Sequence, residues 1–270
     1  MRERLAAART LLFVPGHRPD RFAKAMAAGA DGVVLDLEDA VGPDDKPAAR
    51  AAVAEWLAQH GTDVLVRINA PGTPWFDEDL ELVAKHGCAA MIPKAEDRGT
   101  LEGLELPLVI PLVETAAGVL KAAEICAARG VVRAAFGSVD LAGQLGVAPD
   151  DHLALTHARS ALVLASASAG VASPLDGVTT NLSDLEVLRE DMRMARRLGY
   201  TGKLCIHPRQ VEPLHALLAP TPEELAWAEE VIAAGGDGAA TAVAGHMVDK
   251  PVLERARRLL ERAGLTAPPR

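Results

Sequence analysis

The fold of this chain is decided by the stretch Leu106-Pro-Leu-Val-Ile-Pro-Leu-Val-Glu114-Thr115-Ala-Ala-Gly118. Its apolar part, Leu108–Val113, is too short to cross a membrane and too uniformly apolar for a strand with one face in water. It predicts a strand that is buried on both faces, as strands in parallel sheets are. The run ends in the carboxylate of Glu114, and a helical pattern begins directly after it.

The same succession of strand and helix recurs along the chain. The predicted strands are Leu11–Val14, Val33–Leu37, Val64–Ile68, Ala89–Ile92, Leu108–Val113, Val132–Phe136, Val171–Leu175 and Leu204–Ile206. The predicted helices include Arg21–Ala28, Lys46–Gln59, Asp77–His86, Arg98–Gly103, Ala116–Arg129, Asp151–Ala169, Leu182–Leu198 and Arg209–Leu218. This pattern predicts an α/β fold, the (β/α)8 TIM barrel. The competing fold, an open doubly wound sheet, usually has a glycine-rich phosphate turn after its first strand, whereas this chain has Pro15-Gly16-His17-Arg18 there.

The barrel is predicted to occupy residues 1–218, and residues 219–270 form a C-terminal helical extension. Pro220-Thr221-Pro222 separates the two parts, and the extension carries predicted helices at Glu223–Ala234 and Val252–Ala263. The extension suits either a local cap on the barrel or an arm that packs on a neighbouring subunit.

Composition excludes several classes of function. The net charge of −9 over 270 residues gives no support to a nucleic-acid or anionic-membrane partner. The three cysteines form no paired motif and predict reduced, buried thiols. No signal peptide or transmembrane run is apparent, so we expect a cytoplasmic protein.

The active site of a TIM barrel lies at the carboxyl ends of its strands. Those ends carry Gly16-His17-Arg18, Asp36-Leu37-Glu38-Asp39, Arg67-Ile68-Asn69, Pro93-Lys94, Glu114-Thr115, Gly137-Ser138-Val139-Asp140, Asp176-Gly177 and His207-Pro208. Burying so many ionisable groups at one mouth is costly unless a metal ion or a ligand compensates their charge.

Glu114 and Asp140 follow the adjacent fifth and sixth strands, and such a carboxylate pair suits Mg²⁺, which prefers oxygen ligands and keeps several waters. No His or Cys accompanies them at ligand spacing, which argues against zinc. Arg67 lies near the end of the third strand, and a guanidinium matches a carboxylate bidentately. A metal ion opposite an arginine suits a 2-keto or 2-hydroxy acid.

Structural roles are open for several of these residues. Arg67 is equally consistent with a structural ion pair to a strand-end carboxylate. Asp39 and Asp249 suit helix N-caps, and Asp249 precedes a helix with Pro251 near its start. His207 suits a hydrogen bond within its loop better than a metal ligand.

The order of these motifs resembles one known family. The resemblance runs from Arg9 to about Leu260. It rests on Leu12-Phe-Val-Pro-Gly16, Val34-Leu-Asp-Leu-Glu-Asp-Ala-Val41, Val66-Arg-Ile-Asn69, Pro93-Lys94, Val113-Glu-Thr-Ala-Ala-Gly118, Phe136-Gly-Ser-Val-Asp-Leu141, Gly202-Lys-Leu-Cys-Ile-His-Pro208 and Met247-Val-Asp-Lys-Pro251. The chain resembles the aldolase/lyase family that contains the beta subunit of citrate lyase, with malyl-CoA and citramalyl-CoA lyases as relatives.

The resemblance implies a (β/α)8 barrel, often a trimer, that uses Mg²⁺ to make or break a C–C bond between an acyl-CoA and a keto acid. It implies that Glu114 and Asp140 are the metal ligands and that Arg67 binds the substrate carboxylate and stabilises the oxyanion. It also implies that Asp249 comes from a neighbouring subunit and helps to move the proton. Asp36, Glu38 and Asp39 would fix Arg67 and the metal-bound waters. Arg18 and Lys94 would contact the CoA phosphates.

The expected activity is therefore Mg²⁺-dependent cleavage or formation of a 3-hydroxyacyl thioester such as citryl-, citramalyl- or malyl-CoA. The products of cleavage would be a keto acid (oxaloacetate, pyruvate or glyoxylate) and acetyl-CoA, formed through an enolate. The thioester is on either free CoA or a carrier protein. Two alternatives are a CoA-independent Mg²⁺ keto-acid aldolase and a non-catalytic subunit that binds a keto acid and a metal ion.

Overall fold

The computed structural model describes residues 1–234, 241–243 and 246–265. Within these residues, eight parallel strands close into a barrel in chain order, and β8 pairs with β1. The strands are β1 (Thr10–Pro15), β2 (Gly32–Asp36), β3 (Leu65–Arg67), β4 (Ala89–Ile92), β5 (Val109–Val113), β6 (Arg133–Phe136), β7 (Ala172–Asp176) and β8 (Gly202–Cys205). The predicted TIM barrel is confirmed, and each predicted strand overlaps an observed one.

Helices separate the strands. Those of the barrel are α1 (Arg2–Ala7), α2 (Phe22–Met26), α3 (Lys46–His60), α4 (Phe76–His86), α5 (Arg98–Gly103), α6 (Ala116–Leu120), α7 (Ala122–Cys126), α8 (Ser138–Leu145), α9 (His152–Ala169), α10 (Leu185–Leu198) and α11 (Val211–Leu218). Short 3₁₀ helices lie at Pro19–Arg21, Pro43–Asp45 and Pro208–Gln210.

Two features of the helices differ from the sequence-based prediction. The helix predicted at Ala116–Arg129 is divided at Lys121, whose φ of −108° and ψ of 14° lie outside the helical range, into α6 and α7. Helix α1 was not predicted, because its short charged sequence carries no apolar period and Leu5 alone among its residues is buried.

The interior of the barrel is filled by alternate residues of the strands. Leu11, Val34, Leu65 and Leu112 belong to one buried apolar cluster, and Phe13 packs against it. Successive side chains of a strand point to opposite faces, so residues two positions further on face the same interior. This alternation determines which charged residues reach the mouth of the barrel.

The fully buried Arg133 joins the opposite end of the barrel to α1. It is the first residue of β6, and its Nη1 donates to the carbonyl oxygens of Ala8 at 2.6 Å and Leu5 at 3.2 Å. Its Nε donates to the carbonyl of Ser173 at 2.9 Å, and its Nη2 donates to the hydroxyl of Thr201 at 2.9 Å. One guanidinium thus donates to several carbonyl groups at the end of α1, where the last turn of a helix leaves acceptors over.

The chain forms two compact units, Met1–His215 and Ala216–Arg270. The second unit contains α12 (Pro222–Ala234), a two-stranded antiparallel pair of β9 (Thr241–Val243) and β10 (His246–Val248), and α13 (Lys250–Arg262). It has an apolar core of its own, which includes Ala228, Val231, Val248, Ala256 and Leu259. The sequence also predicts a turn at Gly235-Gly236-Asp237-Gly238, which lies outside the described residues.

No helix in the described part of the chain has the length and apolar character needed to span a bilayer.

Replacing Arg133 by Met should lower the free energy of unfolding by at least about 3 kcal/mol, because several buried carbonyl groups lose their donor together. Urea denaturation followed by circular dichroism measures this change. The exposed Arg129, changed to Met, is the matched control and should shift stability by less than about 0.5 kcal/mol. Equal effects in the two variants would contradict a structural role for the buried guanidinium.

Candidate active site

Strand alternation delivers three charged side chains to the interior at the mouth of the barrel. Asp36 is two residues beyond Val34, Arg67 two beyond Leu65, and Glu114 two beyond Leu112, and all three are buried. Asp36 and Arg67 are also paired in register on the neighbouring strands β2 and β3. The layer of charge therefore lies directly above the apolar filling of the barrel.

Arg67 is held by a bidentate ion pair. Its Nε and Nη2 donate to the two carboxylate oxygens of Asp36, each at 2.7 Å. Its Nη1 donates to Asp39 at 3.2 Å and lies 3.0 Å from Glu38 Oε2. The guanidinium also lies over the ring of Phe13, at 4.8 Å from its centroid. Burial opposes the charge, but the three carboxylates outweigh it and raise the pKa of Arg67 above its ordinary value.

The structural ion pair that the sequence left open for Arg67 is present, with Asp36 as its partner. Among the described residues, three hydrogen bonds use Arg67, and a guanidinium has more N–H donors than that. The pair with Asp36 sets its orientation.

Lys94 places its ammonium among three carboxylates. Its Nζ lies 3.1 Å from Glu38 Oε1, 3.3 Å from Asp140 Oδ2 and 3.8 Å from Glu114 Oε1. We call Glu38, Glu114 and Asp140 the carboxylate ring. The backbone N–H of Lys94 also donates to Glu114 Oε1 at 2.8 Å. Lys94 was expected at the CoA phosphates, and that role stays a prediction. Its observed contacts connect the ends of strands two, four and five with the start of α8.

The carboxylate ring suits a hard divalent cation. The atoms that it offers to a cation are carboxylate oxygens, and they already surround the positive charge of Lys94. Oε2 of Glu38 is buried without a hydrogen-bond partner. In the described residues no group of three or more Asp, Glu, His or Cys side chains forms a ready metal cage. Proteins usually bind Mg²⁺ with one or two carboxylates, and waters and substrate oxygens complete its coordination. A pair of carboxylates from the ring fits this pattern. Glu114 and Asp140 would hold it.

Burial perturbs two carboxylates of the ring. Desolvation raises the pKa of Glu114 to about 8, and the neighbouring charge of Glu38 acts in the same direction. Desolvation also raises the pKa of Glu38 to about 7, although Arg67 and Lys94 oppose it. Carboxyl groups that titrate near neutral pH can hold and release a proton during a reaction.

Gly137 gives Glu114 its position. A Cβ atom added at Gly137 would lie 2.2 Å from the Cβ of Glu114 and 2.6 Å from its Oε2, closer than atoms can approach. The backbone N–H of Gly137 donates to the carbonyl of Val113, which joins β5 to the loop before α8. The glycine is therefore required where α8 and its Asp140 approach β5.

A supporting network behind the loop after β2 was missed by the sequence analysis. The buried Lys46 donates from Nζ to the carbonyl oxygens of Leu37 at 2.8 Å and Glu38 at 3.0 Å. Asn69 Nδ2 donates to the same Leu37 carbonyl at 3.0 Å and to Asp79 at 2.6 Å. These contacts fix the backbone that carries Glu38. Asn69 was visible as a strand-end residue, whereas nothing in the sequence distinguishes Lys46 from an exposed lysine.

Two other residues predicted near the mouth have different surroundings. Asp176 follows Leu175, which faces the barrel core, and it forms ion pairs with Arg159 at 2.9 Å and Lys203 at 2.8 Å. The expectation that Asp176 belongs to the mouth was wrong, because strand alternation turns it toward α9. His207 Nδ1 accepts a hydrogen bond from the N–H of Arg209, which is the loop role considered for it.

Arg18 makes no contact with the carboxylate ring among the described residues, and Asp249 lies in the second unit. Arg18 donates to Asp20 at 2.7 and 2.8 Å and is partly exposed. Asp249 belongs to the second unit, where its Oδ1 accepts the N–H of Val252 at 3.2 Å and caps α13.

A cavity of about 340 Å³ adjoins Lys94. It is lined by Ala70, Pro71, Ile92, Lys94, Ala95, Glu96, Asp97, Thr100 and Leu101. Its lining is mixed polar and apolar, and it includes Lys94, which contacts the carboxylate ring.

The chain matches the model of the family described as HpcH/HpaI aldolase/citrate lyase over residues 9–208. It belongs to this family. A citrate lyase subunit beta-like protein of Mycobacterium tuberculosis is 42% identical over 261 residues, which cover 94% of each chain. A (3S)-malyl-CoA thioesterase of Cereibacter sphaeroides is 35% identical over 271 residues and 94% of each chain. The family resemblance inferred from the motifs is thus confirmed.

A solved structure of CitE from Mycobacterium tuberculosis, in complex with magnesium, acetoacetate and coenzyme A, superimposes with a TM-score of 0.85. It is 41% identical and covers 96% of this chain and 99% of its own. Another structure of that organism's citrate lyase beta subunit, with oxaloacetate and magnesium, is 40% identical and has a TM-score of 0.73, covering 80% of this chain and 99% of its own.

Changing Gly137 to Ala should weaken Mg²⁺ binding and turnover by at least about tenfold, because the new methyl group displaces Glu114. Isothermal titration with Mg²⁺ measures the affinity. Gly143, in α8 close by, is the control, because a Cβ there meets nothing within 4 Å. Its change to Ala should leave binding unchanged and raise stability by up to about 1 kcal/mol. Normal Mg²⁺ affinity in Gly137→Ala would refute this account of Glu114.

Proposed function

We propose that this protein is a Mg²⁺-dependent carbon–carbon lyase that cleaves or forms a 3-hydroxyacyl-CoA, with a keto acid and acetyl-CoA as the partners of the bond. One observation carries the proposal: a ring of carboxylates adjoins a buried arginine at the mouth of a barrel. The similarity to structures solved with magnesium, keto acids and coenzyme A supports it. Oxaloacetate, pyruvate and glyoxylate are the candidate keto acids.

Each charged residue then has a role. Glu114 and Asp140 would hold the metal, which supplies a positive charge that polarises the substrate oxygen next to the carboxylate. The remaining donors of Arg67 bind the keto-acid carboxylate and oppose the charge that develops on the oxygen. Asp36 holds Arg67 in place through two hydrogen bonds. The site therefore binds the end of the substrate that becomes the keto acid.

Proton transfer completes the reaction. In cleavage, the substrate first loses its hydroxyl proton, and the oxygen then forms the C=O bond of the keto acid. The C–C bond breaks at the same time, and the electron pair of that bond forms the enolate of acetyl-CoA. Glu38, whose pKa is raised to about 7, is our candidate to accept the hydroxyl proton. Its Oε2 lies 3.0 Å from Arg67 Nη1, and its Oε1 lies 3.1 Å from Lys94 Nζ. Asp249, supplied by a neighbouring subunit, is our candidate to protonate the enolate. That role rests on the family resemblance and requires a homo-oligomer, for which we propose a trimer in the cytoplasm.

The CoA portion would enter beside Lys94. The cavity next to Lys94 suits the thioester arm, and Arg18 is a candidate for the phosphates.

A second candidate function is hydrolysis of the same thioester, because a malyl-CoA thioesterase is among the relatives. The two reactions give different products. Cleavage of malyl-CoA by a lyase yields glyoxylate and acetyl-CoA without a free thiol, whereas hydrolysis yields malate and free CoA.

Purified protein with Mg²⁺ and citryl-, citramalyl- or malyl-CoA should release a keto acid, detected as its phenylhydrazone, without a matching release of free thiol. Changing Glu114 to Gln should lower this turnover by at least about a hundredfold, because the metal loses a ligand. Glu124→Gln, at an exposed position of α7, is the matched control and should retain full activity. A thiol signal without keto acid would favour hydrolysis, and full activity of Glu114→Gln would refute the proposed site.

Mg²⁺ affinity should depend on pH. Because burial raises the pKa of Glu114 to about 8, its carboxyl group is mostly protonated at pH 7 before metal binds. The metal must displace this proton, so affinity should fall as pH decreases below 8, by up to about tenfold per pH unit. Titrations at pH 7 and 9 in buffers of different ionisation enthalpy measure both the affinity and the proton released. A constant affinity with no proton release would contradict this prediction.

A further inference from the structure

The position of Lys94 in the carboxylate ring has a consequence beyond substrate binding. Its ammonium contacts Glu38, Glu114 and Asp140 at 3.1, 3.8 and 3.3 Å, and two of these carboxylates are the proposed metal ligands. The three partners come from the loop after β2, the end of β5 and the start of α8. One lysine therefore neutralises acidic groups from three separate parts of the barrel.

The backbone of Lys94 is built for this contact. Its φ is +50°, in the left-handed region that residues other than glycine seldom adopt. In this conformation its N–H donates to Glu114 Oε1 at 2.8 Å, while its side chain reaches the same oxygen at 3.8 Å. A backbone hydrogen bond and a longer ion pair from one residue thus meet at one buried carboxylate oxygen.

The carboxylates also act on Lys94. Burial lowers the pKa of its ammonium, but the charges of Glu38, Glu114 and Asp140 outweigh burial and hold the pKa above its ordinary value. Because a lysine ordinarily titrates at about 10.4, Lys94 is a cation at neutral pH.

We propose that Lys94 is an internal counter-cation that competes with the divalent metal ion for the carboxylate ring. The inference rests on the proposed metal site at Glu114 and Asp140. A divalent ion on those carboxylates would repel an ammonium a few ångströms away, so Lys94 has to move or to tolerate that repulsion. Lys94 also lines the cavity beside Ile92 and Ala95, so space for its displaced ammonium adjoins the ring.

Competition of this kind gives the site two properties. Before metal binds, the ammonium offsets the charge of those ring carboxylates that are ionised, which stabilises the fold. After metal binds, the displaced ammonium is free to contact an anionic group of the substrate in the cavity. Lys94 thereby couples metal binding to substrate binding, and it keeps the metal affinity lower than the carboxylates alone would give.

Changing Lys94 to Met tests the proposal by metal binding without any turnover. Titration calorimetry with Mg²⁺ or Mn²⁺ should show affinity about tenfold or more tighter than in the unmodified protein, because the competing charge is gone. Melting in EDTA should occur at a lower temperature, and added Mg²⁺ should raise it by more than in the unmodified protein. Lys94→Arg retains a cation and should bind Mg²⁺ no more tightly than the unmodified protein does.

Lys85→Met is the matched control. Lys85 is exposed in the last turn of α4, at the opposite end of the barrel, and its loss changes the net charge by the same amount. Its Mg²⁺ affinity should be unchanged. If Lys94→Met does not fold, Lys94→Gly removes the same ammonium, accommodates the positive φ without strain and should give the same tighter binding.

Affinity that is unchanged or weaker in folded Lys94→Met or Lys94→Gly would overturn the proposal, since it would make Lys94 a support of the metal site. Tighter Mg²⁺ binding by Lys94→Met than by Lys85→Met would support the proposal. This comparison holds even if the unmodified protein binds Mg²⁺ too weakly to measure. Absence of binding in every variant would overturn both this inference and the metal site. Normal metal binding without lyase turnover would overturn only the proposed function.

Discussion

The mouth of this barrel depends on the ion pair between Asp36 and Arg67. Both residues end neighbouring strands, are paired in register and point into the interior. Each charge would be costly to bury alone, so each requires the other, and the bidentate geometry determines the plane of the guanidinium. Glu38 and Asp39 lie within reach of Nη1 only because that plane is set. The pair therefore organises the loop after β2 as well as the strands.

A second constraint is the excess of acidic groups beside this pair. Desolvation and mutual repulsion raise the pKa of Glu114, and the ring is compensated by one lysine held in a left-handed backbone conformation. A site with several acidic groups near one cation is suited to an additional positive charge. This electrostatic imbalance, more than any single residue, is what connects the fold to metal-dependent chemistry on small acids.

Acidic residues at strand ends serve two different purposes in the same barrel. Asp36 and Glu114 share the interior side with Leu65 and Leu112 and form the mouth. Asp176 lies on the other side of its strand, where Lys203 and Arg159 join β7, β8 and α9 in a buried cluster. Both clusters contain buried carboxylates and cations, and the difference in their surroundings follows from strand alternation. Proximity to a strand end alone therefore does not identify a residue of the active site.

The sequence by itself determined the number and order of the strands, because apolar runs and helix periods are local signals, and it identified Asp36, Arg67 and Glu114 because they follow those runs directly. Only the tertiary structure decided which neighbours these charges have. The left-handed turn at Lys94, the close approach of Gly137 to Glu114, and the support of the Glu38 loop by Lys46 join segments far apart in the chain. Such contacts depend on strand register and on closure of the barrel, for which a linear sequence carries no local signal.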